Sequence, residues 1–185
     1  MAISGKQHLG SLAWLWIVRL SGLSFVLILI FSLASYHPTD PSFFNTSNKI
    51  EPIHNLCGKL GSYLASLCYM GFGLMAWLIP SWVLWEIWPS ANELPRWPKR
   101  LAWLGLLVSL SAMWSFAPQT FSFRMGGFLG AVLQPSLQSW FGTTGLYVLC
   151  LTLATISLLI ISPKLATWMG SKRSEEHTSE LQSRF

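Results

Sequence analysis

The sequence predicts an all-α, polytopic membrane protein with four transmembrane helices and an interfacial or re-entrant segment before the fourth. Apolar residues make up 52% of the 185 residues and charged residues only 10%, whereas a soluble domain usually carries about 25% charged residues. The apolar runs are continuous rather than alternating. They are therefore expected to cross the membrane as helices and not as barrel strands.

Four apolar runs are long enough to span a bilayer core, which needs roughly 20 helical residues and at least about 17. The predicted spans are 18–35, 60–85, 101–117 and 145–161. We divide the chain into a cytoplasmic N-terminus (1–17), a membrane domain (18–172) and a tail (173–185). The tail contains RSEEHTSELQS, which looks like a translated sequencing adapter, so it is excluded from fold reasoning. The native sequence is expected to differ after about Lys172.

Basic residues near the span ends predict the orientation. Seven flank one side of the predicted membrane domain, namely Lys6, Arg19, Arg96, Lys99, Arg100, Lys164 and Lys172. Three flank the other side, namely Lys49, Lys59 and Arg124. Because cytoplasmic loops carry the excess of lysine and arginine, both termini are expected to be cytoplasmic, with the loops 36–59 and 118–144 outside.

The stretch SYHPTDPS follows the first span and raises the question of a metal site. The candidate ligands in this loop are His37, Asp40, Glu51 and His54. A metal ion needs three or four converging ligands, and nothing in the sequence fixes their spacing. Pro38 and Pro41 restrict the preceding residues to extended geometry, which suits a chain that leaves a helix and turns. We therefore expect no metal here, and an outer-loop motif of Pro38, Asp40 and Pro41.

The entry to the second span, NLCGKLGSYLA, predicts close helix packing. Asn55 is placed to cap the incoming helix, and Gly58 and Gly61 allow close backbone approach. Gly61 and Ala65 form a small-xxx-small pair of the kind that lets membrane helices pack tightly.

The segment before the fourth span is unusually apolar for a loop. No charged side chain occurs from Met125 to Pro163. Gly126, Gly127 and Gly130 include a GxxxG, and an apolar stripe with a period of four follows it, interrupted by Pro135. The stripe consists of Leu129, Leu133, Leu137 and Phe141. This pattern indicates an interfacial helix, a re-entrant segment or a packing motif between subunits, and the sequence leaves these open.

The predicted spans carry no visible catalytic constellation. No aspartate, glutamate, lysine or histidine lies at mid-membrane, which disfavours a small transporter. HExxH, a GxSG-like motif and a P-loop are also absent. We therefore expect neither an enzyme nor a bound cofactor in this stretch of chain.

The same motifs resemble the N-terminal four-helix membrane domain of the FtsK/SpoIIIE family of DNA translocases. SYHPTDPS resembles the family's S-x-x-P-x-D-P-S, and EPIHNLCGKLGSYLA resembles its N-x-x-G-x-x-G-x-x-L-A entry to the second span. That span continues with Gly73, Ala76 and Pro80 in the family's G-x-x-A-x-x-x-P pattern, and GGFLGAVL fits its G-G-x-x-G-x-x-L loop. Ser66 departs from the resemblance, since related proteins often have an acid there.

The resemblance implies a membrane anchor of a septal DNA translocase that coordinates cell division with chromosome segregation. It implies a bacterial inner-membrane protein at the division septum, with the lipid bilayer and other cell-division proteins as partners. A hexameric motor using ATP and Mg²⁺ and binding double-stranded DNA is expected downstream of this chain. The alternatives are a stand-alone four-helix membrane scaffold and, less favoured, a small transporter.

Overall fold

The fold is built from helices that follow the apolar runs of the sequence. The structure, a computed structural model, describes residues 3–45, 52–88, 96–117 and 123–163, and of residues 3–12 only the backbone. The α-helices are α1 (Ile3–Ala34), α2 (Gly58–Phe72), α3 (Leu78–Ile87), α4 (Arg96–Trp114) and α5 (Gly127–Ile161), with a 3-10 helix at Gly73–Trp77. The described ranges contain no β-strand, and the predicted all-α class is confirmed.

Three helical stretches in the described ranges are long and apolar enough to cross a membrane: Ala13–Ala34, Gly58–Ile87 and Gly127–Ile161. The predicted third span, 101–117, corresponds to α4. This helix starts earlier, at Arg96, and carries Arg96, Lys99 and Arg100 in its first five residues, which lowers its apolar character. Its apolar part therefore begins only after these cations.

The predicted second span, 60–85, is not one straight helix. Gly73 has a φ of 60°, which breaks the helix between α2 and the 3-10 segment. The hydroxyl of Ser32 on α1 lies against Gly61, whereas the carbonyl of Leu33 accepts a hydrogen bond from Tyr69 at 3.1 Å. Helix α2 therefore packs against the last two turns of α1, where Leu29 and Leu33 share a cluster with Ala65 and Tyr69.

Helix α3, by contrast, runs back alongside α1. A Cβ added to Gly22 would meet the side chain of Ile87, and the end of α3 lies beside Arg19 and Leu20. Pro80 is the third residue of α3, within the first turn, where its missing N–H breaks no intrahelical hydrogen bond.

Helix α5 consists of two helical halves joined at Gly142. At 35 residues it would be about 52 Å long if straight, well beyond the thickness of a bilayer core. Gly142 has a φ of 67° and a ψ of 175°, which bends the chain between residues 127–141 and 143–161. Pro135, where the sequence predicted the interruption, lies inside the first half without ending it.

The core consists of three small apolar clusters. The first joins α1, α2 and the 3-10 segment around Leu33, Ala65 and Tyr69. The second joins α3, α4 and α5 around Trp103, Leu106 and Ala154. The third joins α4 to both halves of α5 around Ala112, Leu146 and Cys150, with Leu133 and Leu137 of the predicted stripe packed against it. Helix α5 thus takes part in two of the three clusters.

Candidate functional site: the α1–α2 loop and the glycine junction

Asp40 organises the α1–α2 loop, residues 35–57. Its side chain is buried, and its Oδ1 accepts hydrogen bonds from the backbone N–H of His54 at 3.0 Å and from His54 Nδ1 at 3.1 Å. Its Oδ2 accepts the backbone N–H of Asn55 at 2.9 Å. Burial raises the pKa of the Asp40 carboxyl, but these hydrogen bonds outweigh it and hold the pKa below its ordinary value. Asp40 therefore fixes the segment that enters α2.

Asn55 links the end of α1 to the beginning of α2. Its Nδ2 donates to the carbonyl of Ser32, in the last turn of α1, at 2.9 Å and to that of Ser35, just after the helix, at 3.4 Å. Its Oδ1 accepts the N–H of Cys57 at 3.0 Å, one residue before α2 begins. The sequence placed Asn55 as a cap for the incoming helix. In the fold the N-cap residue of α2 is Cys57, and no side-chain hydrogen bond caps this helix. The buried Asn55 side chain instead joins the end of α1 to the residue that precedes α2.

The two prolines of the outer-loop motif act through their carbonyls as well as their rings. The carbonyl of Pro38 accepts Asn45 Nδ2 at 3.0 Å, and that of Pro41 accepts the hydroxyl of Ser62 at 2.8 Å. The second bond ties the loop to α2. Pro38, Asp40 and Pro41 thus belong to one bonded turn.

The glycines at the start of α2 have different physical roles. The sequence predicted close backbone approach at Gly58. In the fold Gly58 has a φ of 63° and open space where a Cβ would stand, so glycine is needed there for its backbone conformation. A Cβ on Gly61 would overlap Asn55 and Cys57. Ala65 is fully buried in the cluster shared with α1. The small-xxx-small pair therefore packs within the chain.

The break at Gly73 receives the segment that precedes α5. The N–H of Leu74 donates to the carbonyl of Met125 at 2.9 Å. Gly127 has a φ of 62°, and a Cβ there would meet backbone atoms of Gly71, Phe72 and Gly73. Irregular backbone at membrane depth is tolerated only where other protein groups satisfy it, as they do here.

The GxxxG of Gly126 and Gly130 packs against α4. A Cβ on either glycine would overlap the carbonyl oxygen of Ser111, and both approach Ser115. Gly73, Gly126, Gly127 and Gly130 together form what we call the glycine junction. These glycines therefore approach groups of this same chain, an arrangement that was not among the three alternatives left open by the sequence.

Sequence reasoning missed two polar networks. Side chains of Ser115, Gln134, Gln138 and Thr143 are hydrogen-bonded in series at 3.3, 2.9 and 3.0 Å, and this series crosses the bend at Gly142. The sequence holds a weak signal for the first network, because Gln134 and Gln138 are four residues apart in an apolar segment and can therefore meet on one helix face. The second network centres on Tyr69, whose hydroxyl also accepts Trp77 Nε1 at 3.0 Å.

The predicted cytoplasmic ends of α3 and α4 are joined by charges. Glu86 forms an ion pair with Arg100, whose Nε donates at 2.8 Å. Lys99 is 2% exposed, and its Nζ lies 5.7 Å from the centroid of the Trp85 ring. Lys49, Lys164, Lys172 and the predicted tail lie outside the described residues.

The candidate metal ligands are partly brought together. His37, Asp40 and His54 form a cluster, whereas Glu51 lies outside the described residues. Cys68 and Cys150 are buried and Cys57 is half-buried, and none of the three forms a disulfide.

Residues 14–170 match the family model for the 4TM region of DNA translocase FtsK/SpoIIIE. The chain belongs to this family. It is 30% identical over 178 residues to DNA translocase FtsK of Haemophilus ducreyi, an alignment that covers 91% of this chain and 18% of the relative. It is 27% identical over 168 residues to DNA translocase FtsK 2 of Ralstonia nicotianae, covering 81% of this chain and 21% of the relative.

A third relative, DNA translocase FtsK of Pseudomonas putida, is 27% identical over 150 residues, covering 74% of this chain and 18% of the relative. The chain thus spans about a fifth of the length of these FtsK relatives. No solved structure matches it.

Proposed function

We propose that this chain is the membrane anchor of a DNA translocase that works at the division septum. The match of residues 14–170 to the 4TM region carries this proposal. The anchor acts by position, because it holds the helix ends from which a linker and motor continue. ATP, Mg²⁺ and double-stranded DNA belong to that motor, and the membrane domain itself is proposed to have no catalytic activity.

Within this proposal, self-association belongs mainly to the motor. Five of the glycines that are candidate interaction sites are packed against this same chain, because a Cβ added there would overlap its own atoms. They are Gly61, Gly73, Gly126, Gly127 and Gly130. A hexamer is therefore proposed to assemble through the downstream ATPase, while the membrane domain contributes placement and contacts with other division proteins.

Orientation is proposed to be both termini inside, with the α1–α2 loop outside. The three cysteines offer a direct test because only Cys57 is not buried. In spheroplasts, an impermeant maleimide is expected to label the chain once, at Cys57. The Cys57→Ala variant should lose this label. Trp97→Cys in that background should react only after the membrane is permeabilised, and labelling of Trp97→Cys in intact spheroplasts contradicts the proposed topology.

Septal placement is tested by a fluorescent fusion to residues 1–172. The fusion is expected to concentrate at division sites, and a fusion to an unrelated four-helix membrane protein provides the control. Uniform membrane fluorescence of both fusions contradicts the septal part of the proposal.

Reading the gene beyond Lys172 separates a translocase anchor, which requires a P-loop ATPase downstream, from a stand-alone scaffold, which requires a nearby stop codon.

A further inference from the structure

The α1–α2 loop brings together three metal-binding side chains that are separated in sequence. His37 and Asp40 follow α1, and His54 precedes α2. One potential ligand atom from each lies within 4.8 Å of the others. The two imidazole rings are 4.4 Å apart between centroids and inclined by 32°. The sequence-based expectation of no metal rested on the unknown position of His54, which the fold places beside Asp40.

The distances within this cluster are close to those of a coordinated ion. Two ligands bonded to one tetrahedral zinc ion at about 2.0–2.2 Å lie about 3.4 Å from each other. His54 Nδ1 and Asp40 Oδ1 are 3.1 Å apart, so one ion can replace the hydrogen bond between them when the imidazole carries its proton on Nε2. The His37 ring must also turn toward the pair, and its side chain is exposed although hydrogen-bonded to Thr39.

The surroundings orient the cluster. Asp40 Oδ1 accepts the backbone N–H of His54 at 3.0 Å, and a carboxylate oxygen has a second lone pair for a metal ion. Asp40 Oδ2 is engaged by Asn55, which orients the carboxylate and leaves Oδ1 toward the imidazoles. His37 Nδ1 lies 2.7 Å from Thr39 Oγ1, an arrangement that leaves its Nε2 available. Asp40 is buried while 49% of the His54 side chain is exposed, so an ion reaches the site from solvent.

We propose that His37, Asp40 and His54 form a binding site for a divalent transition-metal ion, with Zn²⁺ as the ion that fits this ligand set. Two imidazoles and one carboxylate suit zinc, whereas Ca²⁺ and Mg²⁺ favour sites made of oxygen ligands. Water completes the coordination. The bound ion cross-links the chain leaving α1 to the chain entering α2, a role separate from anchoring the translocase.

The test is calorimetric titration of the full chain in nanodiscs with ZnCl₂, after purification without a histidine tag. We expect one saturable ion per chain, and at least a tenfold loss of affinity in His37→Ala and in His54→Ala. The chain has four histidines, so the double variant His8→Ala/His177→Ala is the matched control and should bind as the unmodified chain does. Zinc should also raise the unfolding temperature of the control but not of the two loop variants.

Three outcomes overturn the proposal: no saturable zinc binding, unchanged affinity in both loop variants, or loss in only one of them. Unfolding temperatures measured without zinc show whether the variants are folded. His37→Ala is expected to match the unmodified chain there, because its ring is exposed. These outcomes are independent of the anchor proposal, which depends on placement in the membrane.

Discussion

Asn55 provides the sharpest test of how the first two helices are joined. Asn55→Ala removes hydrogen bonds to Ser32, Ser35 and Cys57, of which two are 2.9 and 3.0 Å long and one is a weaker 3.4 Å. A net hydrogen bond contributes about 1 kcal/mol, and a buried polar group left without a partner costs about 1–3 kcal/mol. We therefore expect the free energy of unfolding to fall by about 2–4 kcal/mol.

The measurement is equilibrium unfolding of the purified chain in mixed micelles by titration with SDS, followed by tryptophan fluorescence. Asn45→Ala is the matched control, because it truncates the same side chain but removes one exposed hydrogen bond to Pro38. Its expected loss is below about 1 kcal/mol. Asn55→Asp should be at least as damaging as Asn55→Ala, since a carboxylate would face carbonyls at the negative end of α1. Equal losses for Asn55→Ala and Asn45→Ala refute this account of the junction.

Two further predictions compare glycines in different environments by the same unfolding assay. Gly61→Ala should lower the free energy of unfolding by about 1–3 kcal/mol, because its Cβ would overlap Asn55. Gly71→Ala has open space and ordinary helical backbone, so it should be neutral or raise the free energy of unfolding by up to about 1 kcal/mol. Similar values for the two variants contradict the close approach at Gly61. Gly142→Ala should cost only backbone strain, about 1–3 kcal/mol, because φ 67° with ψ 175° is a conformation almost restricted to glycine and a Cβ there would meet open space. Gly127→Ala should cost clearly more, because at this second positive-φ residue a Cβ would also overlap backbone atoms of Gly71, Phe72 and Gly73. An equal cost for the two variants would show that the junction relaxes freely.

The sequence predicted the class of the fold because lack of charge and long apolar runs are local properties. Contacts between helices were not available from it. The sequence predicted Asn55 as the cap of α2, whereas the N-cap residue is Cys57, and the donation of Asn55 to Ser32 depends on where α1 ends in space. Gly58 and Gly61 look alike in the sequence pattern. In the fold Gly58 is required for its positive φ, and Gly61 because Asn55 lies where a Cβ would stand.

The two breaks show a second limit of sequence reasoning. Pro135 was the natural place for an interruption, since proline removes a backbone donor. Losing that donor leaves the helix intact, and the bend occurs at Gly142, where the backbone adopts positive φ. Likewise, the apolar run across Gly73 does not indicate a helix break. The break depends on the carbonyl of Met125, which accepts the N–H of Leu74 and comes from a distant part of the chain.

This separation has a consequence for the order of events during synthesis. The ribosome makes Leu74 well before Met125, whose carbonyl accepts its N–H in the finished fold. Until Met125 arrives, the acceptor available to Leu74 in lipid is the carbonyl of Met70, one helical turn back, which would make the run a continuous helix. We therefore expect the second hydrophobic segment to enter the membrane straight, and to acquire its break only when the nascent chain beyond α4 docks against it.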